Sequence, residues 1–235
     1  MRFLIISLVF VSVINVWRVL VDANVGEKVR LVDDLFQNYH KAIEPVGPKD
    51  DPLNITHMLQ IRRLVGYEDG ILTLDVWETL SWEDKRLGWK PDAYSDLASL
   101  SLPTDMLWTP DVEQLFSANE LLPKNTEHAR RLQLFSDGTI LYPTHNQIMN
   151  TYKCQENKEW VSCDLQFSPW TYDGTVINVI NQDDVLNSDL LHPGKSSLHF
   201  VSASARRNVV TYACCPQPYV DVTYTVTFIK LPKSA

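Results

Sequence analysis

Cysteine is scarce in this chain, with four in 235 residues, and beyond the N-terminal segment no stretch stays apolar long enough to cross a bilayer. It has no Gly-x-Ser-x-Gly elbow, no His-Glu-x-x-His pair and no glycine-rich phosphate loop. The usual signatures of a serine hydrolase, a zinc peptidase or a nucleotide-binding enzyme are therefore missing. The six histidines, His40, His57, His128, His145, His192 and His199, are scattered without ligand spacing, so no metal and no cofactor are expected. Asp33 with Asp34, and Asp183 with Asp184, are acidic neighbours whose carboxylates point apart into water rather than at one substrate atom. The chain is read as a non-enzyme. Positive charge is also short, with 21 Lys and Arg against 29 Asp and Glu and a net charge of −8. That balance argues against a nucleic-acid surface and is compatible with cationic ligands.

What is present begins with "MRFLIISLVFVSVINVW", a basic residue followed by an apolar run that Asn15 and Arg18 interrupt before it reaches membrane-spanning length. This pattern predicts a secretory signal peptide over residues 1–23, cut between Asp22 and Val25. Residues 24–235 are then expected to form one secreted, extracellular domain with no membrane insertion. An even number of cysteines in an exported chain predicts pairing, and Cys154 with Cys163 plus Cys214 with Cys215 is the economical connectivity. Asn54-Ile55-Thr56 is a sequon and marks Asn54 as a glycosylation candidate.

Val29, Val32, Leu35, Phe36 and Tyr39 recur at helical spacing, which predicts an amphipathic helix over 27–43, ended by Pro45 and Pro48. Beyond it the period changes. "LNITHMLQIRRLV", "ILTLDVWETLSW", "RRLQLF", "TILYPT", "LQFSPW", "TVINVI", "SLHFVSASA", "VVTYACC" and "VDVTYTVTFIK" read as strands, with "EDG", "SDG" and "YDG" as turns between them. One helix followed by many short strands predicts an all-β, immunoglobulin-like sandwich. No internal repeat or composition shift divides it.

The segment "YACCPQPY" sets Cys214 and Cys215 side by side between Tyr212 and Tyr219. A bond between them closes a small ring around their own peptide bond and adds almost nothing through loop entropy. Its use must be local. Seven tryptophans are present, and Trp77 and Trp170 sit, like the two tyrosines, near turns or strand ends. Together these residues suggest an aromatic box, in which ring faces attract an ammonium group by ~0.5–2 kcal/mol each once it is desolvated.

At these residues the chain resembles the extracellular ligand-binding domain of the Cys-loop, nicotinic-type receptors, and most closely the soluble acetylcholine-binding proteins. "DVWETLSWEDKRLGW", "LPTDMLWTPDV", "SDGTILY", "CDLQFSPWTYDGT" and "YACCPQPYVDVTYTV" carry the resemblance. It implies a ten-stranded sandwich headed by a helix, assembled as a homopentamer with ligand sites between neighbours. One side of each site would hold Trp170 with Thr171, and Tyr212, Cys214, Cys215 and Tyr219 on the hairpin that closes over the ligand. The adjacent subunit would supply Trp77 and Thr79, then Gln133, Leu141 and Pro143, and a further loop near Asp183–His192 would bear on selectivity.

Three departures from the pattern stand out. Leu115 occupies the place where the resemblance implies a tyrosine and Phe116 follows it, which removes a hydroxyl from the box. The loop "CQENKEWVSC" is hydrophilic and lacks the Phe-Pro-Phe-Asp tip that receptors press against their membrane domain. "PTHNQIMNTYKC" is longer than usual. The expected function is a soluble, secreted homopentamer that binds a small amine of the acetylcholine, nicotine or serotonin kind and opens no pore. The alternative is the extracellular part of a pentameric channel subunit. A purely structural sandwich is a further rival, and it requires Trp77 and Trp170 to be buried within one subunit.

Overall fold

The computed structural model describes residues 25–117, 130–182 and 198–231, with the backbone alone at 145–147. The expected leader and the Asp183–His192 loop lie outside the described residues. The helix, α1, runs over residues 25–36 and is shorter than its periodicity predicted. Leu31 is fully buried and Val32, Leu35 and Phe36 pack beside it, whereas Val29 is exposed, so the apolar stripe is turned from the expected one. Tyr39 draws the chain off the helix. Its hydroxyl donates to Asp84 Oδ2 at 2.9 Å and accepts from the Trp108 amide at 3.0 Å, and burial pushes its pKa up to about 12.

Alternation carries the rest. The strands are β1 (Leu53–Glu68), β2 (Ile71–Glu83), β3 (Ser99–Pro103), β4 (Val112–Leu115), β5 (Arg131–Phe135) and β6 (Thr139–Thr151). They are followed by β7 (Cys154–Glu156), β8 (Trp160–Pro169), β9 (Ile177–Asn181), β10 (Leu198–Thr211) and β11 (Pro218–Lys230). Strands β3-β5-β6-β2-β1-β9 form one sheet, β10-β11-β8-β4 the other, and β7 pairs with β8. Leu53, Ile55, Leu59 and Ile61 of β1 face Val161, Cys163, Leu165 and Phe167 of β8 across a common core. The chain forms the expected two-sheet sandwich. It shows eleven strands rather than ten among the described residues, because β6 leaves the first sheet at Thr151 and the chain joins the second at Cys154 as a separate short strand. Thr151 holds that crossing, with Oγ1 donating to the Asp164 carbonyl at 2.8 Å and accepting from the Lys153 amide at 3.1 Å.

Asp69 and Gly70, with φ of 51° and 77°, are the two residues between the β1–β2 pair Glu68 and Ile71, a turn whose twist suits a hairpin. In the core one polar group spans both sheets. His57, fully buried on β1, places Nε2 3.0 Å from Glu78 Oε1 of β2 and Nδ1 2.9 Å from the Tyr224 hydroxyl of β11. That hydroxyl donates to the His57 carbonyl at 2.9 Å. Burial, and then the nearby Glu78 carboxylate, raise the Tyr224 pKa above the ordinary phenol range.

Candidate ligand-binding site

The β10–β11 hairpin ends in the paired cysteines. Thr211 lies opposite Pro218, the Cys215 amide donates to the Tyr212 carbonyl at 3.1 Å, and Cys214 and Cys215 are joined in a vicinal disulfide. The tyrosines flanking the tip meet edge to face, their ring centroids 5.3 Å apart. Tyr212 is half exposed and keeps ring surface open to solvent.

The loop after β8 is set against the base of this hairpin. Gly174 donates to the Pro218 carbonyl at 2.7 Å. A Cβ on Gly174 would stand 2.8 Å from Val220 Cγ2 and 3.0 Å from the Pro218 oxygen, so only glycine permits the approach. Ser168 Oγ donates to the Val220 carbonyl at 3.0 Å and adds a second tie. Trp170 begins this loop with 71% of its surface exposed. Its amide donates to the Asp111 carbonyl at 3.1 Å, and the next amide, of Thr171, donates to Asp111 Oδ2 at 2.8 Å. The Thr171 hydroxyl reaches the same oxygen. Asp111, in the sequence only one residue of "LPTDMLWTPDV", is thus the residue that fixes the Trp170 backbone.

Leu115 lies opposite Gln166 on the outward face of the β4–β8 pair, since Pro169, Phe167 and Leu165 are the inward residues of β8. Phe116 follows in a left-handed conformation, φ 57°, and packs edge to face on Tyr152 at 5.9 Å. The Lys153 ammonium stands 4.6 Å from the Phe116 ring centroid and donates to Gln166 Oε1 at 2.7 Å. Neither this lysine nor its contact with Phe116 was anticipated from the sequence.

The other group of expected residues gathers on the outer face of the first sheet. Gln133 of β5 lies opposite Leu141 of β6, Leu141 opposite Ser81 of β2, and Thr79 opposite both Pro143 and Met58. Trp77 precedes them on β2, is 40% exposed, and carries the Arg62 guanidinium 4.4 Å from its ring centroid. Met58, Thr79, Ser81, Leu141, Asn181 and Gln182 are among the residues that line an open concavity of about 420 Å3 here. The exposure of Trp77 and Trp170 contradicts the reading of this chain as a purely structural sandwich with both rings in the core.

Both disulfides pair as expected, and no cysteine is free. Asn54 is exposed on β1, its Oδ1 accepting from Asn178 Nδ2 at 2.7 Å. Among the described residues no helix is long and apolar enough to cross a membrane, and no cluster of potential metal ligands occurs.

Residues 28–231 match the family profile described as neurotransmitter-gated ion-channel ligand binding domain. The chain is 30% identical over 204 residues to human neuronal acetylcholine receptor subunit alpha-9, covering 84% of this chain and 42% of that one. It is 28% identical over 217 residues to an acetylcholine receptor subunit alpha-like protein of Manduca sexta, covering 84% and 40%. With bovine neuronal acetylcholine receptor subunit alpha-5 the identity is 30% over 209 residues, covering 86% and 42%. The chain therefore spans about two fifths of the length of these relatives.

Proposed function

The chain belongs to the neurotransmitter-gated ion-channel ligand-binding domain family, and from that premise we propose that it binds a small cationic amine between neighbouring copies of itself, without catalysis. The observation that carries this reading is the tip of the β10–β11 hairpin. Two tyrosine rings 5.3 Å apart flank a vicinal disulfide, and Pro218 at their base holds the loop that presents Trp170. Two ring faces held in this way, with a third exposed on the tethered loop, suit an ammonium group, which ring faces attract through their quadrupoles. The short ring of the vicinal disulfide stiffens the lid, so closing it over a ligand orders little additional chain.

Trp77, Thr79, Gln133, Leu141 and Pro143 supply the opposing wall. They face outward from the first sheet, whereas Tyr219 and Leu115 belong to the second. The outer faces of a sandwich point away from each other, so a small ligand touching both groups needs two chains. A closed ring of five identical subunits, secreted and extracellular, satisfies that need and uses every copy once on each side. The relatives named as acetylcholine receptor subunits support an amine of the acetylcholine kind, with nicotine and serotonin as further amines to test. Leu115 makes the box less polar than a tyrosine there would.

The test is quenching of tryptophan fluorescence by acetylcholine, nicotine, choline and serotonin, with the particle mass recorded alongside. Trp170→Ala is expected to weaken amine binding tenfold or more while the mass stays that of the parent oligomer. Unchanged affinity sinks the assignment.

A second reading, the ligand-binding part of a longer channel subunit, is favoured by the share of the relatives that this chain spans. Sequencing the full transcript separates the two: a reading frame that continues into membrane-spanning helices supports the channel reading, and one that ends with this chain supports the soluble one.

A further inference from the structure

Asn54-Ile55-Thr56 is the one Asn-x-Ser/Thr sequon of the chain, and the amine site makes no use of it. On β1, Leu53 and Ile55 are buried and Asn54 between them is exposed. Thr56, two residues on, projects from the same face. Parallel pairing sets Asn54 beside Asn178 of β9, and Arg207 of β10 reaches that same asparagine. These three side chains fix which way the Asn54 amide is turned. The Arg207 guanidinium can only donate, and its Nε and one terminal nitrogen lie 3.0 and 2.7 Å from Asn178 Oδ1. The Asn178 amide nitrogen therefore faces Asn54, at 2.7 Å, and the atom that receives it must be the Asn54 carbonyl oxygen. Asn54 Nδ2, the nitrogen to which a glycan attaches, is turned away from this ladder and has no partner among the described residues.

We propose that Asn54 carries an N-linked glycan, and that the end of the first sheet around it therefore stays open to solvent in the assembled protein. The first half rests on the export reading of residues 1–23, and the second on the ring of subunits given above. In the transfer, Asn54 Nδ2 forms a bond to the anomeric carbon of an N-acetylglucosamine on a lipid-pyrophosphate-linked oligosaccharide. The bond from that carbon to the phosphate oxygen breaks, the lipid pyrophosphate leaves with the electron pair, and the amide gives up one proton. The carbonyl oxygen of Asn54 is untouched, so the hydrogen bond from Asn178 survives the modification. The attachment point and the Trp77 wall are well separated on their shared face. Gln60, opposite Trp77, lies six residues along β1 from Asn54, about 20 Å in an extended strand. A neighbouring copy can cover the Trp77 end and leave the Asn54 end to solvent.

The full chain is expressed in eukaryotic cells, with Asn54→Gln, Thr56→Ala and Thr56→Ser alongside. Peptide mass mapping, before and after an amidase that releases N-glycans, reads position 54 directly, because release leaves an aspartate there. Glycan is expected on the parent and on Thr56→Ser, which keeps the hydroxyl of the sequon, and should be lost completely in the other two. Since the sequon is single, each loss should remove all the sugar that the amidase can release. A secreted parent with Asn54 unmodified overturns the proposal and leaves the export reading standing. A parent retained in the cytosol overturns both. Particle mass tests the second half: the parent, after subtraction of its sugar, and Asn54→Gln should contain the same number of subunits. An oligomer formed by Asn54→Gln alone shows the Asn54 end to be buried at a contact and overturns that half. Monomers in both overturn the ring reading and leave the glycan in place.

Discussion

The two disulfides use the same bond for opposite purposes. Cys154–Cys163 joins neighbouring positions of β7 and β8, with Cys163 fully buried in the core. The loop it closes is tied down again, Asn157 Oδ1 accepting from the amides of Glu159 and Trp160 at 2.8 and 2.9 Å. The Lys230 amide donates to the Glu159 carbonyl at 2.7 Å, and its ammonium bonds the Asn157 carbonyl and the Glu156 carboxylate. Cys214–Cys215 joins two residues already adjacent in sequence, on an exposed tip. The first bond is one of several constraints on a packed region, and the second shapes a surface. A cystine is thus informative about function where it is least needed for the fold.

The contrast can be broken from either end. Replacing Cys154 and Cys163 together by serine should cost about 2–4 kcal/mol of stability, as expected for a bridge that closes a short loop. Urea unfolding of the double variant measures this, with amine affinity little changed under native conditions. An affinity loss equal to the stability loss would erase the distinction between the two bridges. Gly174→Ala should come next, at about 1–3 kcal/mol, because its new methyl meets Val220 and the Pro218 carbonyl and must push the Trp170 loop off the hairpin. Its effect belongs to both regions, and thermal unfolding and amine titration should each register it. The smallest stability change is expected from replacing Cys214 and Cys215 by serine. Less than about 0.5 kcal/mol should be lost, since almost no loop entropy is released, while affinity falls about tenfold as the lid loses its fixed shape. Equal losses in both measurements would show the tip to be a structural staple as well.

Much of this was legible in the chain itself. Long alternating strands announced β1, β2 and β11, and Asp69-Gly70 announced the turn between the first two. The short β3 and β4 escaped notice because "SLSLP" and "VEQL" are too brief to establish a period. "SLHFVSASA" and "VVTYACC" read as two strands, yet β10 is continuous through Arg206, Arg207 and Asn208. Its ladder with β11 carries it across that polar interruption. The candidate site shows the same division. Cys214, Cys215 and the aromatic residues stand out by type and spacing. Asp111, Gly174 and Lys153 do not, because each acts through a clamp or a close approach that exists only after strands from distant parts of the chain have met.

His57 carries a consequence for how the fold is chosen. A strand displaced by one residue exchanges its two faces, and for β1 that would turn Ile55, Leu59 and Ile61 toward water. Apolar loss of that kind can be softened by repacking, but a polar lock cannot. The imidazole finds partners on β2 and β11 in one alignment, and any other strips the His57 ring of both and leaves a buried polar group unsatisfied. The polar knot in the core therefore works as proofreading. It tells the native pairing of the two sheets from its near neighbours, which keeps the distant hairpin and the Trp77 face in one fixed relation.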